Sequence, residues 1–265
     1  MTGRRRASVV VRRPGDAQPD VRWVAEEAAV SLEFNGLAYA VMMATPADLQ
    51  DFAVGFSISE GIVPRAADVL DVDVTTGELG WVVRIRLPDD RIAPIHERIR
   101  HRVSDGGCGL CGVENLEQAM RLPPAARPIE DTLPPDAIFR ALGELRERQT
   151  LNNATGAVHG AAWCDADGAI AELREDVGRH NAFDKLIGAL ARQGVDPARG
   201  FALLTSRCSY ELVDKALTAG FTRLVTVSAA TTLAASRAQD RGLTLVALAR
   251  PDAFVVMNDP AAQLS

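Results

Sequence analysis

Phe201-Ala202-Leu203-Leu204-Thr205, Arg223-Leu224-Val225-Thr226-Val227 and Leu243-Thr244-Leu245-Val246-Ala247-Leu248-Ala249 are three short apolar runs. Between them lie two helical patterns, Ser209 to Ala219 before Gly220 and Thr231 to Asp240 before Gly242. Strands alternating with helices predict a parallel sheet joined by right-handed crossovers. In such a sheet ligands bind beyond the carboxyl ends of the strands, where the following helices begin. Here those positions are Thr205-Ser206-Arg207-Cys208-Ser209 and Ser228-Ala229-Ala230-Thr231-Thr232. Hydroxyls, an arginine and helix N-termini on one edge suit a phosphate, and the same serines and threonines also suit ordinary helix capping.

Working back toward the N-terminus, Phe183, Leu186, Ile187 and Leu190 keep the i, i+3, i+4, i+7 spacing of a buried helix face. Ala161–Cys164 and Ala169–Leu173 flank Asp165-Ala166-Asp167-Gly168 and predict a hairpin, and a helix is expected from Asp136 to about Arg148. Pro123-Pro124-Ala125-Ala126-Arg127-Pro128 has the composition of a stiff linker between residues 21–122 and residues 129–265. In the first of these lobes, Val30–Phe34 and Leu37–Val41 alternate around Asn35-Gly36, a hairpin signal. Thr45-Pro46-Ala47-Asp48 then predicts a capped helix start, with Leu49, Phe52, Ala53 and Phe56 as one apolar stripe and Gly61 as the stop. Leu70–Val74 and Trp81–Leu87 predict two more strands. Residues 1–20 are expected to be a loose arm apart from a short β-like run at Ser8–Val11. The chain is thus expected to be α/β, with a small α+β lobe followed by a three-layer α/β/α lobe.

Gly106-Gly107-Cys108-Gly109-Leu110-Cys111-Gly112 places two thiols three positions apart in a glycine-rich loop. Glycines let a backbone take left-handed conformations and let another molecule approach closely. Glu114–Leu122 has helical spacing, so Cys111 is expected near a helix N-terminus, which favours thiolate over a thiol of ordinary pKa about 8.5. A zinc knuckle would need a second ligand pair, and Cys164 and Cys208 are isolated. A thioredoxin-like motif would follow a strand, whereas Arg98-Ile99-Arg100-His101-Arg102 is basic and could draw an anionic ligand toward the thiols. A sulfur relay suits an exposed, anion-stabilised thiol; two incidental surface cysteines are the bland alternative. Cys164 is expected to be a buried small hydrophobe.

Asp176, Gly178, Arg179, His180, Asn181, Asp184 and Lys185 form the densest polar cluster in the chain. His180 and Asp184 are i, i+4 neighbours with the spacing to hydrogen-bond, a pairing that is more often structural than catalytic. There is no Gly-x-Ser-x-Gly elbow and no His-Glu-x-x-His helix, and His159-Gly160-Ala161 lacks the glutamate of a zinc deaminase. No bound metal is expected. The 29 Lys and Arg against 35 Asp and Glu give a net charge of −6, which offers no general nucleic-acid affinity. No stretch approaches the roughly 20 apolar residues of a membrane span, and four unclustered cysteines do not make a disulfide scaffold. A reducing cytoplasm is the expected location.

Several of these stretches together resemble the FdhD/NarQ family of formate dehydrogenase accessory sulfurtransferases. They are Thr45–Asp48 running into Phe52–Phe56 and Glu60–Ile62, Cys108–Gly112, Thr155–His159, Arg174–Gly188, Ser206–Ala216, Val227–Ala229 and Gly242–Leu245. The resemblance implies a cytidine-deaminase-like second lobe without zinc, and a homodimer. It implies a carrier that takes sulfur from a cysteine desulfurase as a persulfide on Cys108, with Cys111 assisting. The recipient would be the molybdenum (or tungsten) bis-molybdopterin guanine dinucleotide cofactor of formate dehydrogenase. The cofactor is expected against Phe254-Val255-Val256-Met257-Asn258-Asp259, and its phosphates near Arg207, Ser209 and Ser228, with Arg179 and His180 close by. Two stretches depart from the family pattern: Ser228–Thr232 lacks a usual proline, and a usual tyrosine and threonine are missing after Phe254. A non-catalytic chaperone for the same cofactor is the alternative, and a dithiol reductase a third; persulfide formation separates the carrier from both.

Overall fold

The computed structural model describes residues 3–92, 95, 120–128 and 131–264. Cys108, Cys111 and the basic stretch before them lie outside the described residues.

The N-terminal residues expected as a loose arm form a hairpin instead, β1 (Arg4–Arg13) with β2 (Asp16–Ala25). Its turn is Pro14-Gly15, with Gly15 at φ +81°. Hydrophobic alternation misses such an element because neither face is buried in the body of the protein. The second hairpin, β3 (Ala28–Phe34) with β4 (Leu37–Ala44), turns at Asn35-Gly36 as expected. Both turn residues have positive φ, 46° and 83°, the twist that matches two antiparallel strands. The Asn35 amide also donates to the Leu87 carbonyl (3.0 Å) and accepts from the Leu87 N–H (2.8 Å), fixing the turn to the neighbouring strand.

After α1 (Leu49–Ser59), strands β5 (Asp71–Gly77) and β6 (Gly80–Arg86) complete a four-stranded sheet in the order β4-β3-β6-β5. Thr45 does not cap α1. Asp48 occupies that position at φ +53°, and Thr45 is fully buried, its hydroxyl accepting from the Val177 N–H at 3.2 Å.

The second sheet follows α2 (Pro135–Arg148) and the short α3 (Thr150–Thr155). Its hairpin, β7 (His159–Asp165) with β8 (Ile170–Asp176), leads into α4 (Arg179–Gln193). Then β9 (Gly200–Leu204), α5 (Tyr210–Thr218), β10 (Arg223–Thr226), α6 (Thr232–Arg241) and β11 (Thr244–Ala247) alternate as expected, and β12 (Val255–Asn258) closes one edge. The strand order is β12-β11-β10-β9-β7-β8. β9, β10 and β11 are parallel, while β7 and β12 run against them. Period-two alternation divides the strands between two cores. Phe201, Leu203, Val225 and Val246 pack with Ala137, Ile138 and Ala141 of α2, whereas Ala202, Leu204, Leu224 and Leu245 face α4, α5 and α6.

One apolar cluster runs through both lobes, from Val30, Leu32 and Val83 through α1 to Phe183, Leu186 and Leu212. Every residue of α1 except Gln50 is buried, as expected of a helix sandwiched between a sheet and another helix. α1 meets α4 backbone to backbone. A Cβ added at Gly55 would lie 1.7 Å from the Asp184 carbonyl oxygen, and one at Gly188 would lie 1.9 Å from that of Asp51.

Gly188→Ala is therefore expected to force the two helices apart and lower unfolding free energy by about 1–3 kcal/mol or more in urea denaturation. Gly143→Ala, on α2 with nothing within 4 Å of the added methyl, is expected to be stabilising by about 0.5–1 kcal/mol.

Candidate functional site at the carboxyl edge of the second sheet

β9, β10 and β11 point their carboxyl ends to one edge, and β8 runs in the same direction because it and β9 are both antiparallel to β7. Hence α4, α5 and α6 all begin there, at Arg179, Tyr210 and Thr232. The loops after β9 and β10 are stitched together: the Cys208 N–H donates to the Ala229 carbonyl (3.0 Å), and the Thr231 N–H to that of Cys208 (3.0 Å). The amino end of β12 returns to the same edge, since Val255 pairs with Ala247.

The edge gathers Arg179, His180, Arg207, Ser209, Ser228, Phe254 and Val255. Arg207 is exposed, and Arg179 and His180 are half-buried. Ser209 makes no side-chain cap to α5; its hydroxyl donates to the Glu211 carboxylate at 3.2 Å. Thr231 does cap α6, accepting from the Ala234 N–H at 3.2 Å. The Ser228 carbonyl accepts from the Leu248 N–H (3.1 Å) and from the Thr226 hydroxyl (3.0 Å), so the β10 loop is held by its backbone.

Val255, Val256 and Met257 are exposed, and the Phe254 ring lies 5.2 Å from that of Phe139. Asn258 and Asp259 sit at the far end of β12, away from this edge, since Asn258 pairs with Leu245. The Asn258 amide donates to the Ala238 and Leu243 carbonyls, and the Asp259 carboxylate accepts from the Gln263 and Leu264 N–H groups at 3.0 Å.

His180 does not meet Asp184. Its Nε2 lies 3.1 Å from the Glu211 carboxylate, while Asp184 turns inward to α1 and α5. There Asp184 accepts from the Ser59 hydroxyl (2.6 Å) and from the Lys215 ammonium (3.0 Å), which also reaches Glu60 (2.9 Å). Burial raises the Asp184 pKa, against the pull of Lys215. A second buried cluster ties the lobes one turn away. Asp176 accepts from Lys185 (2.6 Å), the Thr45 N–H (3.0 Å) and the Gly178 N–H (2.7 Å), and Lys185 also donates to the Thr45 carbonyl (2.9 Å). The dense charge at the start of α4 was visible in the sequence, but its partners Thr45 and Ser59 were not, because they lie more than a hundred residues away, and Glu60 joins only through Lys215.

A third group missed by sequence reasoning is Arg237. Buried on α6, it donates to the Arg121 carbonyl at 2.6 Å, lies 3.4 Å from the Asp214 carboxylate and sits 5.5 Å above the Tyr210 ring. With the Ala126 N–H on the Arg241 carbonyl (2.7 Å) and Arg127 on Asp196 (2.6 Å), it lays the stretch before α2 along the second lobe.

Burial pushes the Cys208 thiol up to about 12, and Cys164 is likewise pushed up by burial. Neither is a nucleophile at neutral pH. Burial, reinforced by the Arg179 charge, lowers the pKa of both His159 and His180.

The model of the FdhD/NarQ family matches residues 25–263 of this chain. The chain belongs to the FdhD/NarQ family. Among similar proteins is one named sulfur carrier protein FdhD from Cupriavidus necator, 48% identical over 237 residues, or 89% of this chain and 82% of the relative. Proteins of the same name from Xanthomonas campestris pv. campestris (48%, 89% and 84%) and Bordetella parapertussis (47%, 89% and 86%) are similar to the same extent. A solved structure of a provisionally assigned formate dehydrogenase accessory protein from Desulfotalea psychrophila superimposes with a TM-score of 0.76 at 25% identity. It covers 99% of this chain and 100% of its own. Among the described residues, no helix is long and apolar enough to cross a membrane.

Both imidazoles are expected to titrate below the ordinary value of 6.5 in an NMR pH titration. For a base whose folded pKa is depressed, the unfolded chain binds the proton first, so stability is expected to fall as the pH drops below 6.5. Replacing Arg179 by Gln is expected to raise both pKa values.

Proposed function

We propose that this chain is a sulfur carrier that serves formate dehydrogenase. The Cys108 thiolate attacks the terminal sulfur of a persulfide on a cysteine desulfurase, forming a new S–S bond as the donor's thiolate departs. The molybdenum bis-molybdopterin guanine dinucleotide cofactor, a substrate here, then bonds the terminal sulfur with an electron pair of its own as the Cys108 S–S bond breaks, so the sulfur is reduced, the acceptor is oxidised by two electrons and the Cys108 thiolate is regenerated. Cys111, three residues on, assists by stabilising the thiolate or relaying the sulfur.

The observation that carries the recipient half is the convergence of three helix N-termini with Arg179 and Arg207 on one sheet edge. Helix N-termini favour anions, and arginine matches phosphate oxygens with paired donors. Ser209 and Ser228 add hydroxyls beside them, and His159 and His180, neutral at pH 7, add hydrogen-bonding capacity without needing a counter-charge. The start of β12 at Phe254 and Val255 offers backbone and apolar surface to the rest of the ligand. The family and the names of its curated relatives supply the sulfur-carrying half.

Guanosine diphosphate is the probe for the edge. Arg207→Glu and Arg179→Glu each remove a charge-assisted contact of about 1.5–3 kcal/mol, so its affinity is expected to fall by roughly 10–100-fold in calorimetry. Unchanged affinity in both variants would place the nucleotide elsewhere. In cells lacking their own copy, Cys108→Ala is expected to abolish formate dehydrogenase activity, and full activity there would refute the carrier role.

A further inference from the structure

A cavity of about 510 Å³ opens at the carboxyl edge of the six-stranded sheet, on the face covered by α2 and not on the face of α4, α5 and α6. Small-molecule sites span roughly 300–1,000 Å³. Leu142 of α2, Val227 after β10 and Pro251 after β11 give the cavity apolar walls, and the exposed Arg146 and Arg250 stand at its rim. It abuts the edge described above. Val227 directly precedes Ser228, and the turn that carries Arg250 is closed by the Arg250 N–H on the Ala253 carbonyl (2.8 Å), one residue before Phe254.

Gln149, the residue between α2 and α3, also lines this cavity. It is 6% exposed, and among the described residues its side-chain Nε2 has no hydrogen-bond partner. Its backbone is engaged, the N–H donating to the Leu145 carbonyl (3.2 Å) and the carbonyl accepting from the Asn153 N–H (2.8 Å). Gly160 of β7 leaves room for the amide, since a Cβ there would lie 2.8 Å from Nε2. An unpaired buried donor is costly, so this one calls for a partner from outside the chain. A primary amide sets a donor beside an acceptor, the complement of a ring that sets N–H beside C=O. Apolar walls suit the faces of such a flat ring. We propose that this cavity seats the fused oxopyrimidine ring of guanine or pterin, with Gln149 reading its amide edge. The assignment rests on the dinucleotide acceptor of the proposed function, whose two kinds of ring share that edge. Gln149 is then a specificity-determining residue, and the sheet edge divides the ligand, with phosphates on the helix N-termini and a ring on the α2 side.

Calorimetry on the full chain with three probes, guanosine diphosphate, unsubstituted pterin and inorganic pyrophosphate, tests the assignment. Gln149→Met keeps the length of the side chain and removes the unpaired amide, so this variant is expected to melt at or above the wild-type temperature. A ring probe is expected to bind it roughly 10-fold more weakly or worse, and pyrophosphate, which has no ring, to bind unchanged. Val227→Phe fills the cavity from another wall and is expected to weaken the same probe. A loss confined to guanosine diphosphate assigns the cavity to guanine, and a loss confined to pterin assigns it to pterin. Loss of both, with pterin displacing guanosine diphosphate from wild type, shows that either ring enters. Ring probes that bind both variants as tightly as wild type, or that fail to bind wild type, would overturn the proposal. So would a Gln149→Met chain that melts well below wild type, or one that loses pyrophosphate in step with guanosine diphosphate. Failure of the phosphate edge reads differently: pyrophosphate binding indifferent to Arg207→Glu contradicts that site and leaves the dependence of pterin on Gln149 in place.

Discussion

The crossing of α1 and α4 at Gly55 and Gly188 is the contact on which the rest of the molecule depends. It brings two backbones to a distance that no side chain permits, and so merges a four-stranded sheet and a six-stranded sheet into one core. Two buried ion clusters flank it, Asp176 with Lys185 and Asp184 with Lys215. Burying charge is costly, and removing either partner of such a pair strands the other. Their contribution is positional. The Asp176 cluster holds the turn that leads into α4, and so sets where Arg179 and His180 emerge, while the Asp184 cluster fixes α5 against α1.

Much of this was legible in the sequence wherever burial follows a local rule. The alternation from Phe201 to Ala249 predicts the sheet and its helices because every strand is covered on both faces. Asn35-Gly36 predicts its hairpin because that turn requires positive φ at both positions. The α1–α4 crossing was not legible: a glycine inside a helix reads as a weakness until its partner, 133 residues on, is known. The N-terminal hairpin escaped for the opposite reason, since even its covered side chains, Ala7, Val9 and Val11, are only half-buried and no buried stripe marks it. Thr45 reads as a helix cap by its neighbours, yet the chain passes through left-handed Asp48 before α1 starts, and this frees Thr45 for Asp176.

The candidate site was legible as an edge more than as a set of residues. Strand-then-helix order predicts that Arg207, Ser209 and Ser228 meet, and the β-bridge between Cys208 and Ala230 joins their loops. Arg179 and His180 reach the same edge through the direction of β8, which the sequence pattern does not reveal. The run from Phe254 to Asp259 is divided by strand geometry: Phe254 and Val255 lie at the edge, while at the other end Asn258 holds the turn from α6 into β11 and Asp259 holds the turn at Gln263 and Leu264. The two cysteines within the described residues, Cys164 and Cys208, are both buried with elevated pKa values, and Cys108 and Cys111, on which the proposed carrier role rests, lie outside the described residues.

Whether sulfur travels on Cys108 is read from the intact mass of the chain. The purified chain is incubated with a cysteine desulfurase and cysteine, then weighed alongside Cys108→Ala and Cys111→Ala. The added mass of one sulfur atom is expected in wild type and in Cys111→Ala, removable by reductant and absent from Cys108→Ala. A wild-type chain that gains no sulfur from a desulfurase active on another acceptor, or a Cys108→Ala chain that gains as much as wild type, would contradict the carrier role.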